Sequence, residues 1–73
     1  MLKIKDDVNL NELDDRDFAD FGVCYKWYGI LGEQFIINKG TREIKRIHPY
    51  SLREEPTLDE IEMLGISDIV EKV

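Results

Sequence analysis

Seventy-three residues suffice for one domain and are too few for two independent cores. Hydrophobic residues make up 42% of the chain and charged residues 36%, a balance that suits a small globule and argues against wholesale disorder. The net charge of −6 argues against non-specific binding to nucleic acid or anionic lipid, and one cysteine with one histidine provides neither a disulfide nor a four-ligand zinc site.

Taken in order, the chain opens on Met1-Leu2-Lys3-Ile4-Lys5-Asp6-Asp7, which lacks the apolar core of a signal peptide. The longest purely aliphatic or aromatic run, Phe35-Ile36-Ile37, falls far short of the ~20 residues of a spanning helix. A cytoplasmic location without membrane association is therefore expected, in a reducing setting.

Asn9 followed three residues later by Glu12 has the form of a capping box, and Leu10, Leu13, Phe18 and Phe21 fall within one helical arc. These residues predict a first helix over 9–21, with Gly22 as its stop and Asp14, Asp15 and Asp20 outside. Asp14-Asp15-Arg16-Asp17 is a poor helix interior and a place for a break.

The centre reads as three strands, over 23–28, 34–38 and 41–47. Gly29-Ile30-Leu31-Gly32 bounds the first connection, and Asn38-Lys39-Gly40 suggests a short hairpin loop with Gly40 left-handed. Pro49 ends the third strand by withholding a ladder donor. Thr57 and Glu60 form a second capping box, which predicts a helix over 58–64 closed at Gly65 with Ile66 packed beneath it. Ser67 then caps a short helical turn over 67–72. The expected fold is one α+β domain spanning 1–73, a three-stranded antiparallel sheet with N- and C-terminal helices in the order α-β-β-β-α.

This sheet carries apolar groups on both faces, since Phe35-Ile36-Ile37 and the pair Ile44 and Ile47 point both ways. Either the two helices take opposite faces, or one face is kept for another chain, whether a partner or a second copy in a homodimer.

Charge is laid out unevenly. Residues 6–22 carry seven carboxylates against Arg16 alone, and residues 54–73 carry seven against Lys72 alone. Between them lie Lys26, Lys39, Arg42, Lys45, Arg46 and Arg53 against Glu33 and Glu43. Two acidic flanks thus enclose a basic centre.

Catalytic chemistry is not indicated. Cys24 and His48 have no orienting acid or oxyanion loop near them in sequence, and a buried cysteine is ordinarily a small hydrophobe. Adjacent acids such as Asp6/Asp7, Asp14/Asp15 and Glu54/Glu55 diverge in any regular element, so no metal and no cofactor are expected. Gly29-Ile30-Leu31-Gly32 lacks the lysine and hydroxyl of a phosphate loop.

Two binding modes compete. Tyr25, Trp27, Tyr28 and Phe35 beside the basic residues of the strands suit single-stranded nucleic acid, although Val23, Tyr25 and Trp27 alternate as a core face would and the overall charge is wrong. Conversely, carboxylates on two helices can imitate the phosphate rows of a duplex and occupy a basic groove on a nucleic-acid enzyme. That mode nominates Asp14, Asp15, Asp17 and Asp20 on the first flank, and Glu54, Glu55, Asp59 and Glu62 on the second. If the sheet binds instead, Tyr28, Ile36 and Arg42 are its first candidates.

Three stretches together carry a likeness: Ile4-Lys5-Asp6-Asp7-Val8-Asn9-Leu10 with Leu13 and Phe21-Gly22; Asn38-Lys39-Gly40-Thr41-Arg42-Glu43-Ile44; and Thr57-Leu58-Asp59-Glu60-Ile61 running to Asp68-Ile69-Val70-Glu71-Lys72-Val73. The chain resembles a group of small proteins encoded by phages and prophages of low-GC Gram-positive bacteria. Asp14 to Asp20 is longer and more acidic than the group's pattern. The resemblance implies a non-catalytic accessory protein that inhibits host machinery, anti-CRISPR proteins among them, in the host cytoplasm. A nucleic-acid-binding module, or a phage regulatory or assembly factor, is the alternative.

Overall fold

Strict alternation builds the central sheet. Along β3 (Cys24–Tyr28), β4 (Gln34–Asn38) and β5 (Ile44–Ile47), side chains turn inward and outward by turns. Tyr25, Phe35, Ile37 and Ile44 are buried on the inner face, with Trp27 packed edge-on against Phe35. The antiparallel register aligns Tyr25 with Ile37, Trp27 with Phe35, and Ile37 with Ile44. The computed structural model describes residues 1–73.

The fold is α+β with strands predominating, and it exceeds the expected three strands. In chain order it runs β1 (Leu2–Ile4), a 3-10 helix (Leu10–Arg16), β2 (Ala19–Asp20), β3, β4, β5, α1 (Leu58–Met63) and β6 (Val70–Lys72). One sheet has the order β2-β3-β4-β5, and β1 pairs with β6 in a second, two-stranded sheet. Ile4 N donates to Arg42 O at 2.9 Å, so the terminal ribbon lies against the start of β5.

The first helix is corrected from 9–21 to a 3-10 helix that ends at Arg16. Asn9 caps it, but its side chain accepts from Asn11 N rather than from Glu12, so no reciprocal box forms. Three residues per turn stack Leu10, Leu13 and Arg16 along one ridge. Leu13 is buried there, and Arg16 reaches Gly65 O at 2.8 Å and both oxygens of Asp68. Asp17 at φ 66 breaks the run, as its competing side chain and tolerance of the left-handed region allow. Gly22 stops no helix. It has φ 87 in the three-residue connection between β2 and β3, Phe21 to Val23, where Phe21 N donates to Cys24 O at 2.8 Å.

Two further expectations change. Gly40 is not left-handed; the Asn38 side chain accepts from Gly40 N and Thr41 N, and Arg42 takes the positive φ of 66. Strand β5 therefore starts at Ile44 rather than 41. Residues 67–72 do not form a helical turn throughout. Val70–Lys72 is extended because β1 offers it a ladder, with Ile4 opposite Val70 and Leu2 opposite Lys72.

Helix α1 has both of its ends closed. Thr57 Oγ1 accepts from Glu60 N at 3.1 Å while Glu60 accepts from Thr57 N at 2.9 Å, a complete capping box. Gly65, at φ 74, donates to Glu62 O, and Ile66 N donates to Ile61 O, which is the Schellman closure. Ile61 and Ile66 are both buried, as that closure requires.

All twelve buried apolar residues form one cluster, drawn from the inner sheet face, the 3-10 helix, α1, β1 and the segment to Ile69. The covering elements therefore lie on one side of the sheet. Its other face, with Lys26, Tyr28, Ile36, Lys45 and Ile47, has no element over it.

Arg46 shares the inner face with Ile44 and is buried. Its Nε lies 2.9 Å from Glu60 Oε2, off the line of its N–H, so the two pair by charge. Arg53 clamps the same carboxylate from Nη1 at 2.8 Å and Nη2 at 3.3 Å. The Arg53 hydrogen bonds, with the backbone bond from Thr57 and the charge of Arg46, hold Glu60 down at about 2 from its ordinary 4.5.

Two outcomes follow from this corner. Thr57→Ala removes a cap and should cost about 1 kcal/mol, read as a fall in Tm of about 4–8 °C. Glu60→Gln strands the Arg46 charge in the core and should lower Tm at neutral pH by more than about 10 °C. The depressed pKa of Glu60 contributes stability that is fully present above its unfolded value and is lost as pH falls from about 4.5 to about 2. Thermal melts across that window should show the parent losing stability and the glutamine variant losing distinctly less, the remainder coming from Asp6, Asp20 and Asp68, which are also held low.

Candidate functional site

The eight nominated carboxylates separate into two states. Asp20 Oδ1 is 2.7 Å from Lys39 Nζ and accepts from Gly22 N at 2.8 Å, and the Lys39 bond holds its pKa below the ordinary carboxylate range. Lys39 also lies 4.8 Å over the Tyr25 ring. Glu54 lies 3.9 Å from Lys45 Nζ, and Glu55 lies 3.2 Å from the N-terminal ammonium. Asp14, Asp15, Asp17, Asp59 and Glu62 are exposed and have no ion pair. Asp14 receives only a long 3.5 Å contact from Tyr25 O–H, whose own acidity burial and the nearby Asp14 and Asp20 suppress.

These residues do not stand in one regular row. Asp14 and Asp15 ride the 3-10 helix, Asp17 sits in its left-handed cap, and Asp20 belongs to β2. The expected pair of acidic α-helices is thus corrected to one tight 3-10 turn and one short α-helix. Asp59 and Glu62, three residues apart on α1, share one side of that helix. Arg16 joins the two elements through Gly65 and Asp68, so both acidic elements ride on the covered side of the sheet.

The basic centre is largely consumed by the fold. Lys39 pairs with Asp20, Lys45 with Glu43 at 2.9 Å, and Arg46 and Arg53 with Glu60. Arg42 is not on the sheet face at all. It sits in the β4–β5 turn, where its Nη1 donates to Lys5 O at 2.8 Å and Val8 O at 2.7 Å. Of the sheet candidates, Tyr28 and Ile36 do lie on the open face, beside Lys26, whose ammonium is 4.8 Å from the centre of the Phe21 ring.

Register also separates Cys24 from His48. Cys24 pairs with Asn38 at one end of the sheet, whereas Ile47, next to His48, pairs with Gln34 at the other. His48 Nδ1 accepts from Tyr50 N at 3.1 Å. No three His, Cys, Asp or Glu side chains come together in a way that would hold a metal ion. No helix is long and apolar enough to cross a membrane.

Sequence reasoning missed Glu60 as more than a cap. The signal was Arg46, which alternation places on the Ile44 face, where a charge needs a partner. Comparison of the chain with family models, curated proteins and solved structures finds no match.

Arg42 can be tested as a structural tie. Arg42→Ala removes two charge-assisted bonds and leaves a Cβ at positive φ, so it should cost about 2–3 kcal/mol by chemical denaturation. Arg42→Gly relieves the backbone and should cost about 1 kcal/mol less.

Proposed function

We propose that the protein is a non-catalytic inhibitor that binds a host nucleic-acid-handling defence enzyme in the manner of an anti-CRISPR protein, presenting carboxylates to a groove that ordinarily receives phosphates. The observation that carries this reading is the asymmetry of pairing. Lys39, Lys45, Arg46 and Arg53 are neutralised within the fold and Arg42 is bound by backbone carbonyls, while Asp14, Asp15, Asp17, Asp59 and Glu62 stay exposed and unpaired. Unpaired negative charge is thereby concentrated at the 3-10 helix with its cap and at α1.

The same asymmetry counts against the nucleic-acid-binding alternative. A strand platform for phosphates needs free cations, and on the open face only Lys26 lacks a carboxylate partner. The partner is a protein with a basic groove, met in the cytoplasm of the infected cell.

The test is expression in a low-GC Gram-positive host with an active CRISPR system, scored by plating of a targeted phage. The parent should restore plating. Asp14→Lys with Asp15→Lys, or Glu62→Lys with Asp59→Asn, should abolish the effect while Tm moves little, because like charges across an interface cost several kcal/mol and exposed substitutions about 0.5 kcal/mol. Cys24→Ser and His48→Ala should leave it intact. No restoration by the parent, together with salt-sensitive binding to short oligonucleotides, would establish the nucleic-acid-binding alternative in its place.

A further inference from the structure

Six of the twelve exposed large apolar side chains, the three most exposed among them, belong to one end of the molecule. Ile30 and Leu52 are each 99% exposed and Tyr50 is 90% exposed, with Leu31 close behind. Ile30 and Leu31 form the tip of the β3–β4 connection, and Tyr50 and Leu52 follow β5. The two loops touch, since a methyl group on Gly32 would lie 3.4 Å from Pro49 Cγ. Tyr28 and Ile47, either side of Gln34 in the last row of the open sheet face, extend the patch and are also exposed.

The loops are held in shape without a partner. Gly29 N donates to Glu33 O at 2.8 Å and Gly32 N to Gly29 O at 3.3 Å; Ser51 N donates to His48 O at 3.3 Å, and Arg53 N to Ser51 Oγ at 3.3 Å. A preformed surface spends little ordering entropy on binding. All six side chains are more than half exposed, and contiguous apolar surface beyond the ~300–600 Å² of the largest patch on an ordinary monomer marks an interaction site.

Charge selects the occupant. Of sixteen carboxylates only Glu33 falls within 28–34 or 47–53, and it is half-buried. Glu54, at the border, has Lys45 beside it. Two chains that each carry −6 repel one another over the acidic elements, and this end is where they approach without bringing exposed carboxylates together. An anionic bilayer is disfavoured by the same net charge, and Arg53 is already committed to Glu60. We infer that this end is a self-association surface whose occupant is a second copy of the chain, docked end to end about a two-fold axis so that each loop pair meets its own image. The inference does not require that the acidic flanks bind a partner.

Sedimentation equilibrium over a range of concentrations tests it. The parent should reach twice the 8.6 kDa chain mass at micromolar concentration. Ile30→Asp with Leu52→Asp should raise the dimer dissociation constant at least ~100-fold. Both positions are almost fully solvated in the single chain, so circular dichroism should match the parent, and Tm should match it at concentrations low enough for the parent to be monomeric. Raising NaCl from about 50 to about 500 mM should tighten the dimer by screening like charges, whereas contacts made by the acidic flanks weaken. A parent that stays monomeric throughout, or a double variant that dimerises like the parent, overturns the inference. So does a monomeric parent that floats with phosphatidylcholine vesicles, which would make the occupant a bilayer.

Discussion

Glu60 is the point on which the packing of α1 against the sheet depends. Its carboxylate accepts from Thr57 N and from Thr57 Oγ1, is clamped by Arg53, and balances the buried Arg46. One side chain therefore begins the helix, fixes the segment that precedes it, and neutralises a charge on the inner sheet face. A buried ion pair is weak evidence for net stability, because removing two charges from water is costly. Arg46 is committed nonetheless: β5 turns it inward, and without a carboxylate its charge has no compensation at that site. The dependence is thus asymmetric. An apolar pair could fill the same space, but neither partner can be lost alone.

The same economy explains why the sequence's basic centre does not become a basic surface. A chain of this size has a thin core, and its loops are tied down by charged side chains instead. Arg42 gathers the turn after β1 by two backbone carbonyls, Arg16 gathers the turn after α1, and Lys39 secures the short edge strand β2 through Asp20. Each cation used as a tie is one removed from the surface. Acids outnumber bases, sixteen to ten, so the remainder is anionic and sits where no tie is needed. The pattern of exposed carboxylates is in that sense a by-product of how the loops are fastened, and it is also what a basic groove would meet.

Legibility in the sequence followed the range of the interaction. Thr57, Glu60, Gly65 and Ile66 form the ends of α1 within ten residues, so their chemistry could be read locally. The strand cores around Tyr25, Phe35 and Ile44 followed from alternation. Local reading failed where a distant segment decided the outcome. Val70–Lys72 is helical or extended on propensity alone; β1, some seventy residues away, makes it a strand. The arc Leu10, Leu13, Phe18, Phe21 suited an α-helix, but Asp17 breaks it and Phe21 lies on the opposite, open face beside Tyr28. Of the site residues, Asp59 and Glu62 could be placed from helix period. Asp20, Glu54, Glu55 and Arg42 could not, because their partners lie elsewhere in the chain or at its terminus.

The two surfaces left without intramolecular partners are chemically opposed, and the topology keeps them apart. Both acidic elements cover the inner face of the sheet, held together by Arg16, whereas the apolar patch belongs to the open face and to the loops at one of its ends. An exposed carboxylate beside Ile30 or Leu52 would have to lose water in any apolar contact, and an apolar cluster beside Asp14 and Asp15 would offer nothing to a basic groove. Separation would let each surface follow its own rule: a contact on the acidic elements would weaken with salt and gain speed from steering, and one on the apolar patch would strengthen with salt and depend on area. A covering helix on each face of the sheet would have removed the second surface altogether. Placing every covering element on one side is what leaves a 73-residue chain with two faces to offer.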